Sequence, residues 1–164
     1  MKEKLELYIK NNYVKEKAFF GLRASSRLMD NYYVEEEYNS SINTYIDENN
    51  NKNLFQTLLF KMIDDRNLKD SDVYNKVHID RRLFSKIRGD ASYHPSKETI
   101  ILLGLSLELS EQEIVELLDS AAYSLPKNNY YDLIIRFCFI NKIYKIHEIN
   151  DLLESYNCKL LQSW

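Results

Sequence analysis

Arg81, Arg82, Ser85, Lys86 and Arg88 crowd into one short stretch, and Tyr93, His94, Ser96 and Lys97 follow after a brief polar run. Arginine carries a planar fork of N–H donors that fits a guanine edge or a phosphate, while Lys and Ser can serve either. From Asp80 to Glu98 five cations (Arg81, Arg82, Lys86, Arg88, Lys97) face three acids (Asp80, Asp90, Glu98). A local excess of that size grips a polyanion weakly to moderately. Catalytic patterns are missing. The chain has no H-E-x-x-H, G-x-x-x-x-G-K or G-x-S-x-G run, and three scattered glycines cannot build a phosphate loop. His78, His94 and His147 lack ligand spacing and read as surface or turn residues, and Asp64, Asp65 and Asp72 read as capping and solvated groups. The expectation is therefore no enzyme, no catalytic residue, no metal and no cofactor.

For those side chains to point one way, they must stand on a short helix anchored from behind. Leu83, Phe84 and Ile87 supply the anchor, Asp80 is a good N-cap, and Ile79 can staple onto Phe84. This helix should run from Arg81 to about Arg88 and stop near Gly89. Ahead of it, Asp70 or Ser71 is expected to cap a helix over about Asp72 to Val77, with His78–Asp80 as a tight connection. Phe55, Leu58, Leu59, Met62 and Ile63 mark an earlier helix ending near Asn67. After a polar loop from Asp90 to Pro95, Ser96 should cap an apolar helix containing Ile100, Ile101, Leu102, Leu103, Leu105 and Leu107. Ser110 and Glu113 form an S-x-x-E capping box, stapled by Leu109 and Ile114, that opens a helix through Leu118. Pro126 marks a break. Two tail helices, about Asn129–Asn141 and His147–Tyr156, should pack on the core or on a partner.

Residues 1–50 hold a first helix on Leu5, Tyr8 and Ile9, a second on Phe19, Phe20, Leu22, Leu28 and Met29, and a weak third. Glu35–Glu37 reads as a solvated acidic run, and Asp47 to Asn53 as a linker. The organisation expected is an N-terminal helical extension with its linker over 1–52, a central domain over 53–125 and a C-terminal helical pair over 126–164. With 45% hydrophobic and 29% charged residues but only three Gly and two Pro in 164 residues, the class is mainly α. A net charge of −3 puts any polyanion contact on a local patch. No apolar h-region opens the chain and no apolar run nears the ~18 residues of a membrane span, so a cytoplasmic protein with no membrane partner is expected. Cys138 and Cys158 read as reduced, buried or half-buried thiols.

The order I-D-x-x-x-F-S-K-I-R-G, then P-S-x-E-T-I, then L-x-L-S-x-x-E resembles the lambda-repressor-like (XRE-type) helix-turn-helix domain. Ile79, Phe84, Ser85, Ile87, Gly89, Pro95, Ser96, Glu98, Thr99, Leu103, Leu107, Leu109, Ser110 and Glu113 carry it, over about Leu54 to Ala122. The resemblance implies an all-α bundle and a sequence-specific DNA-binding regulator of transcription, from a bacterium, a phage or another mobile element. Such a regulator would act as a homodimer on half-sites about one helical turn apart. It further implies DNA contacts from Ser71, Arg81, Arg82, Ser85, Lys86, Arg88, Tyr93, His94, Ser96 and Lys97. Two positions depart from the pattern, since Tyr74 stands where a small Ala is usual and His78 where Gly is common. The run YDLIIRFCFINKIYKIHEINDLL also resembles a C-terminal helix-turn-helix module appended to varied bacterial proteins. Two alternatives to double-stranded DNA stay open. One is RNA; the other is a nucleoprotein, bound by an interaction module such as an anti-CRISPR-like inhibitor or a defence-system accessory protein.

Overall fold

The computed structural model describes residues 1–14 and 54–161, and every regular element in them is a helix. These are α1 (Lys2–Asn12), α2 (Leu54–Asp65), α3 (Asp70–Lys76), α4 (Arg81–Gly89), α5 (Lys97–Ser106), α6 (Glu111–Asp119), α7 (Tyr130–Ile140) and α8 (Ile146–Glu154). The expected all-α class is met there. The second and third helices of the N-terminal segment, the Glu35–Glu37 run and the linker lie outside the described residues.

The core forms around α5. Every residue from Ile100 to Leu107 is buried, including Gly104 and Ser106, so this helix is covered on all sides. A helix apolar all round has no wet face to offer, and its neighbours must enclose it. α3 and α6 pack directly on it. Gly104 sets how closely they come: a Cβ built there would lie 2.5 Å from Ile114 Cδ1 and 3.3 Å from Phe139 Cζ. At the start of α5, Lys97 pairs with Asp132 of α7 (2.5 Å), a carboxylate only 3% exposed that also accepts from the Asn129 amide. Burying a carboxylate is tolerable only when it is paired and hydrogen-bonded in this way.

The N-terminal helix docks on α7. Leu5 and Ile9 are buried, the Tyr8 ring lies 5.5 Å from that of Phe137, and Tyr13 stacks on Tyr130 at 4.9 Å. The Val14 N–H donates to Lys127 O. α7 and α8 likewise spend their apolar faces (Leu133, Phe137, Ile149, Leu153) inside the chain.

Three helix starts follow their sequence signals. Asp80 caps α4, Ser96 caps α5, and Ser110 with Glu113 closes a complete capping box on α6. Burial alone would raise the Glu113 carboxyl, but the Arg66 guanidinium and the Ser110 amide and hydroxyl outweigh it and hold it below its ordinary value. The stability gained is present above the unfolded carboxylate value and is lost as pH falls through the lowered one. α3 departs from expectation. It begins at Asp70, its N-cap position is Lys69, and no side chain caps it. Lys69 O already accepts from the N–H groups of Asp72 and Val73, and the Asp70 carboxylate turns to Arg88 instead. α6 ends at Asp119, one residue beyond the expected Leu118.

Six helices end alike without a single glycine. Asn67, His78, Glu108, Ala122, Lys142 and Asn157 all have φ of 52–56°, in the left-handed region. At each end the next residue donates its N–H five residues back, as in Leu109 to Gly104 O and Ile143 to Cys138 O. This is the Schellman closure, and the residue after each αL position is apolar or aromatic (Leu68, Ile79, Leu109, Tyr123, Ile143, Cys158).

Two outcomes follow. His78→Gly relieves left-handed strain and should raise stability by about 1 kcal/mol, read as a higher urea midpoint at constant slope. Gly104→Val should cost about 3 kcal/mol, because Ile114 and Phe139 are fully packed against the site; an unchanged midpoint would contradict this contact.

A candidate nucleic-acid interface on α4

α3 and α4 are successive short helices joined by the tight connection from Val77 to Asp80. α3 is short, and its Val73 is buried. The Ser106 hydroxyl donates to Val73 O at 2.6 Å in the interior, which ties α3 to the core helix. The turn closes through the Ile79 N–H donating to Tyr74 O at 2.9 Å, with His78 left-handed between them. Asp80 then accepts from the Arg82 N–H at 2.6 Å and starts α4.

α4 divides into two faces. Phe84 and Ile87 are buried and Leu83 is half-buried. The Phe84 ring is held between Phe60, edge-on at 6.2 Å, and Tyr74, tilted at 5.6 Å. Tyr74 therefore fills the space where a smaller residue would let α3 approach α4, and the aromatic contact accommodates it. Arg81, Arg82, Ser85 and Lys86 are exposed, and among the described residues Arg81 and Arg82 enter no ion pair. Ser71 sits with Arg81, Ser85 and Tyr74 around a groove of about 540 Å³ between α3 and α4. Lys86 lies over the Tyr93 ring, 4.5 Å from its centroid.

The other expected contact residues are engaged within the chain. Arg88 pairs with Asp70 at 2.5 Å and stacks over Phe60, 3.9 Å from the ring centre. Ser96 caps α5, and Lys97 is bound to Asp132. His94 bonds Ala121 O through Nε2 at 2.9 Å, and its ring packs on Tyr123. Ser71, Arg81 and Ser85 border the groove between α3 and α4, while Arg82 and Lys86 are exposed on the same helix and Lys86 covers Tyr93. Arg88 lines the same groove while paired with Asp70, and His94, Ser96 and Lys97 make their contacts within the following loop and helices.

The charge on this face is modest. Residues 69 to 90 carry six cations and four acids. Asp90, in the loop after α4, is held below the usual carboxylate range, chiefly by the Ser92 hydroxyl and amide, with Lys86 adding a smaller attraction. It therefore stays ionised beside Lys86 and limits that cation's pull on a phosphate.

Gln56, which no local motif singles out, fixes the far end of α4. Its Nε2 donates to Ile87 O at 3.0 Å and Arg88 O at 2.5 Å, covering carbonyls that the last helical turn leaves open. Its only sequence signal is a polar residue on the inner side of α2, more than thirty positions away. Among the described residues no group of three or more His, Cys, Asp or Glu could hold a metal ion, and no helix is long and apolar enough to cross a membrane. No protein-family model matches the chain, and no curated protein or solved structure is significantly similar to it.

Gln56→Ala should cost about 1–2 kcal/mol by uncovering those carbonyls. Amide exchange should speed up most at the C-terminal turn of α4, and a uniform change over all helices would argue against a local clamp.

Proposed function

We propose that the chain is a DNA-binding regulator that reads duplex DNA through α4. One observation carries the reading: Arg81, Arg82, Ser85 and Lys86 stand exposed on a helix whose other face, Phe84 and Ile87, is locked to the core. Sequence is read by side chains held in fixed geometry at base edges in the major groove, and a helix of this size fits that groove. Arg81 and Arg82 lie in the first turn, the end that enters the groove in helix-turn-helix docking. Ser71 and Lys69 at the start of α3 border the same groove and suit the adjoining phosphates. The overall charge of −3 and the acids close by favour a specific, salt-sensitive contact over broad electrostatic adhesion. A dimer on half-sites about one helical turn apart belongs to the same proposal.

Selection of bound duplexes from a random pool, followed by fluorescence anisotropy, tests it. Arg81→Ala or Arg82→Ala should each weaken the selected site by about 1–3 kcal/mol and relax the preference at one base pair. Lys86→Ala should weaken all sequences alike and lower the salt slope by about 1. Duplex binding indifferent to the double Arg81→Ala, Arg82→Ala change would sink the reading; enrichment of RNA in a parallel pool would move it to RNA.

A further inference from the structure

A second concavity lies between the starts of α5 and α7 and the turn after α8. It has a volume of about 700 Å³, and Tyr123, Tyr130, Tyr131 and Tyr156 line it with Asn157. That volume falls within the usual range for small-molecule sites. Its charges cancel in pairs across the cleft, Lys97 with Asp132 at 2.5 Å and Lys159 with Glu98 at 2.7 Å. Burial pushes the Tyr131 and Tyr156 phenols and the Cys158 thiol up, so these groups stay neutral. An isolated phosphate or metal ion finds no uncompensated charge here. A flat, uncharged ring finds the Tyr156 ring to stack on, tilted 40° to Tyr130 with centroids 5.5 Å apart, while Tyr130 is itself backed by Tyr13.

The polar edge points to the kind of ring. The side-chain amide of Asn157 is exposed and makes no hydrogen bond among the described residues. An amide offers a donor and an acceptor side by side, the complement of an adenine edge. Ser96 and the four tyrosines line the same cleft. We propose that this cleft binds a nucleobase, presented as an uncharged nucleoside, with the base stacked on Tyr156 and its edge read by Asn157. Tyr123 also packs against His94 with ring centres 5.2 Å apart, so the cleft lies directly behind the loop that follows α4.

Calorimetric titration of the full chain with adenosine, guanosine, cytidine and uridine tests the site without any DNA. Saturable binding of at least one nucleoside is expected, adenosine foremost, with Kd below roughly 1 mM. Tyr156→Ala should weaken it by about fivefold to a hundredfold. Asn157→Gly keeps the left-handed helix end, removes the amide, and should level the preference among bases. Thermal melts of both variants confirm folding, and either variant alone suffices if the other fails to fold. No saturation by any of the four, or affinity unchanged in a folded variant, overturns the proposal. Because the titration contains no DNA, its failure leaves the reading of α4 untouched, and failure of duplex binding leaves the cleft untouched.

Discussion

Burial of α5 from Ile100 to Leu107 obliges the surrounding helices to come in against it, and it does so with little slack. Gly104 permits Ile114 and Phe139 to reach the helix backbone, while Ser106 offers a hydroxyl to Val73 O and so fixes α3. α3 has only seven residues and no side-chain cap, so it would not persist as a helix without that support. α4 depends in turn on α3 through Tyr74 and Phe84, and on α2 through Phe60 and Gln56. The orientation of Arg81 and Arg82 is thus set by contacts several layers deep.

The same chain of support explains how cations are divided. Those near the ends of elements, Arg88 and Lys97, have acids within reach and join helices together. Those in the first turns of α4 meet Asp80, whose carboxylate is committed to the Arg82 N–H as a cap. A capping carboxylate beside two arginines reduces the net field but leaves the guanidinium forks free to make directional contacts. A net charge of −3 and a small exposed cationic surface thus coexist in one chain.

Much of the fold was legible because its signals are local. Asp80, Ser96 and the Ser110–Glu113 box lie within three residues of the groups they satisfy, and the apolar spacing of Phe55, Leu59, Met62 and Ile63 marks the buried side of α2. The helix ends were harder to read, since Glu108, Ala122 and Lys142 take left-handed conformations that residue type disfavours and packing of the next apolar residue enforces. The site was readable as a set of exposed cations, but which of them stay free was not. Arg88 is claimed by Asp70, Lys97 by Asp132 and His94 by Ala121, all partners well separated along the chain. Distances of that kind follow from tertiary packing, and no local pattern encodes them.

The proposed role requires α4 to be the surface that meets DNA. Backbone amide shift mapping by NMR during titration with a selected duplex addresses this directly. The largest perturbations should fall at Ser71, Arg81, Arg82, Ser85 and Lys86, with the buried positions of α5 little changed. Perturbations centred on α7 and α8, with the first turn of α4 silent, would contradict it.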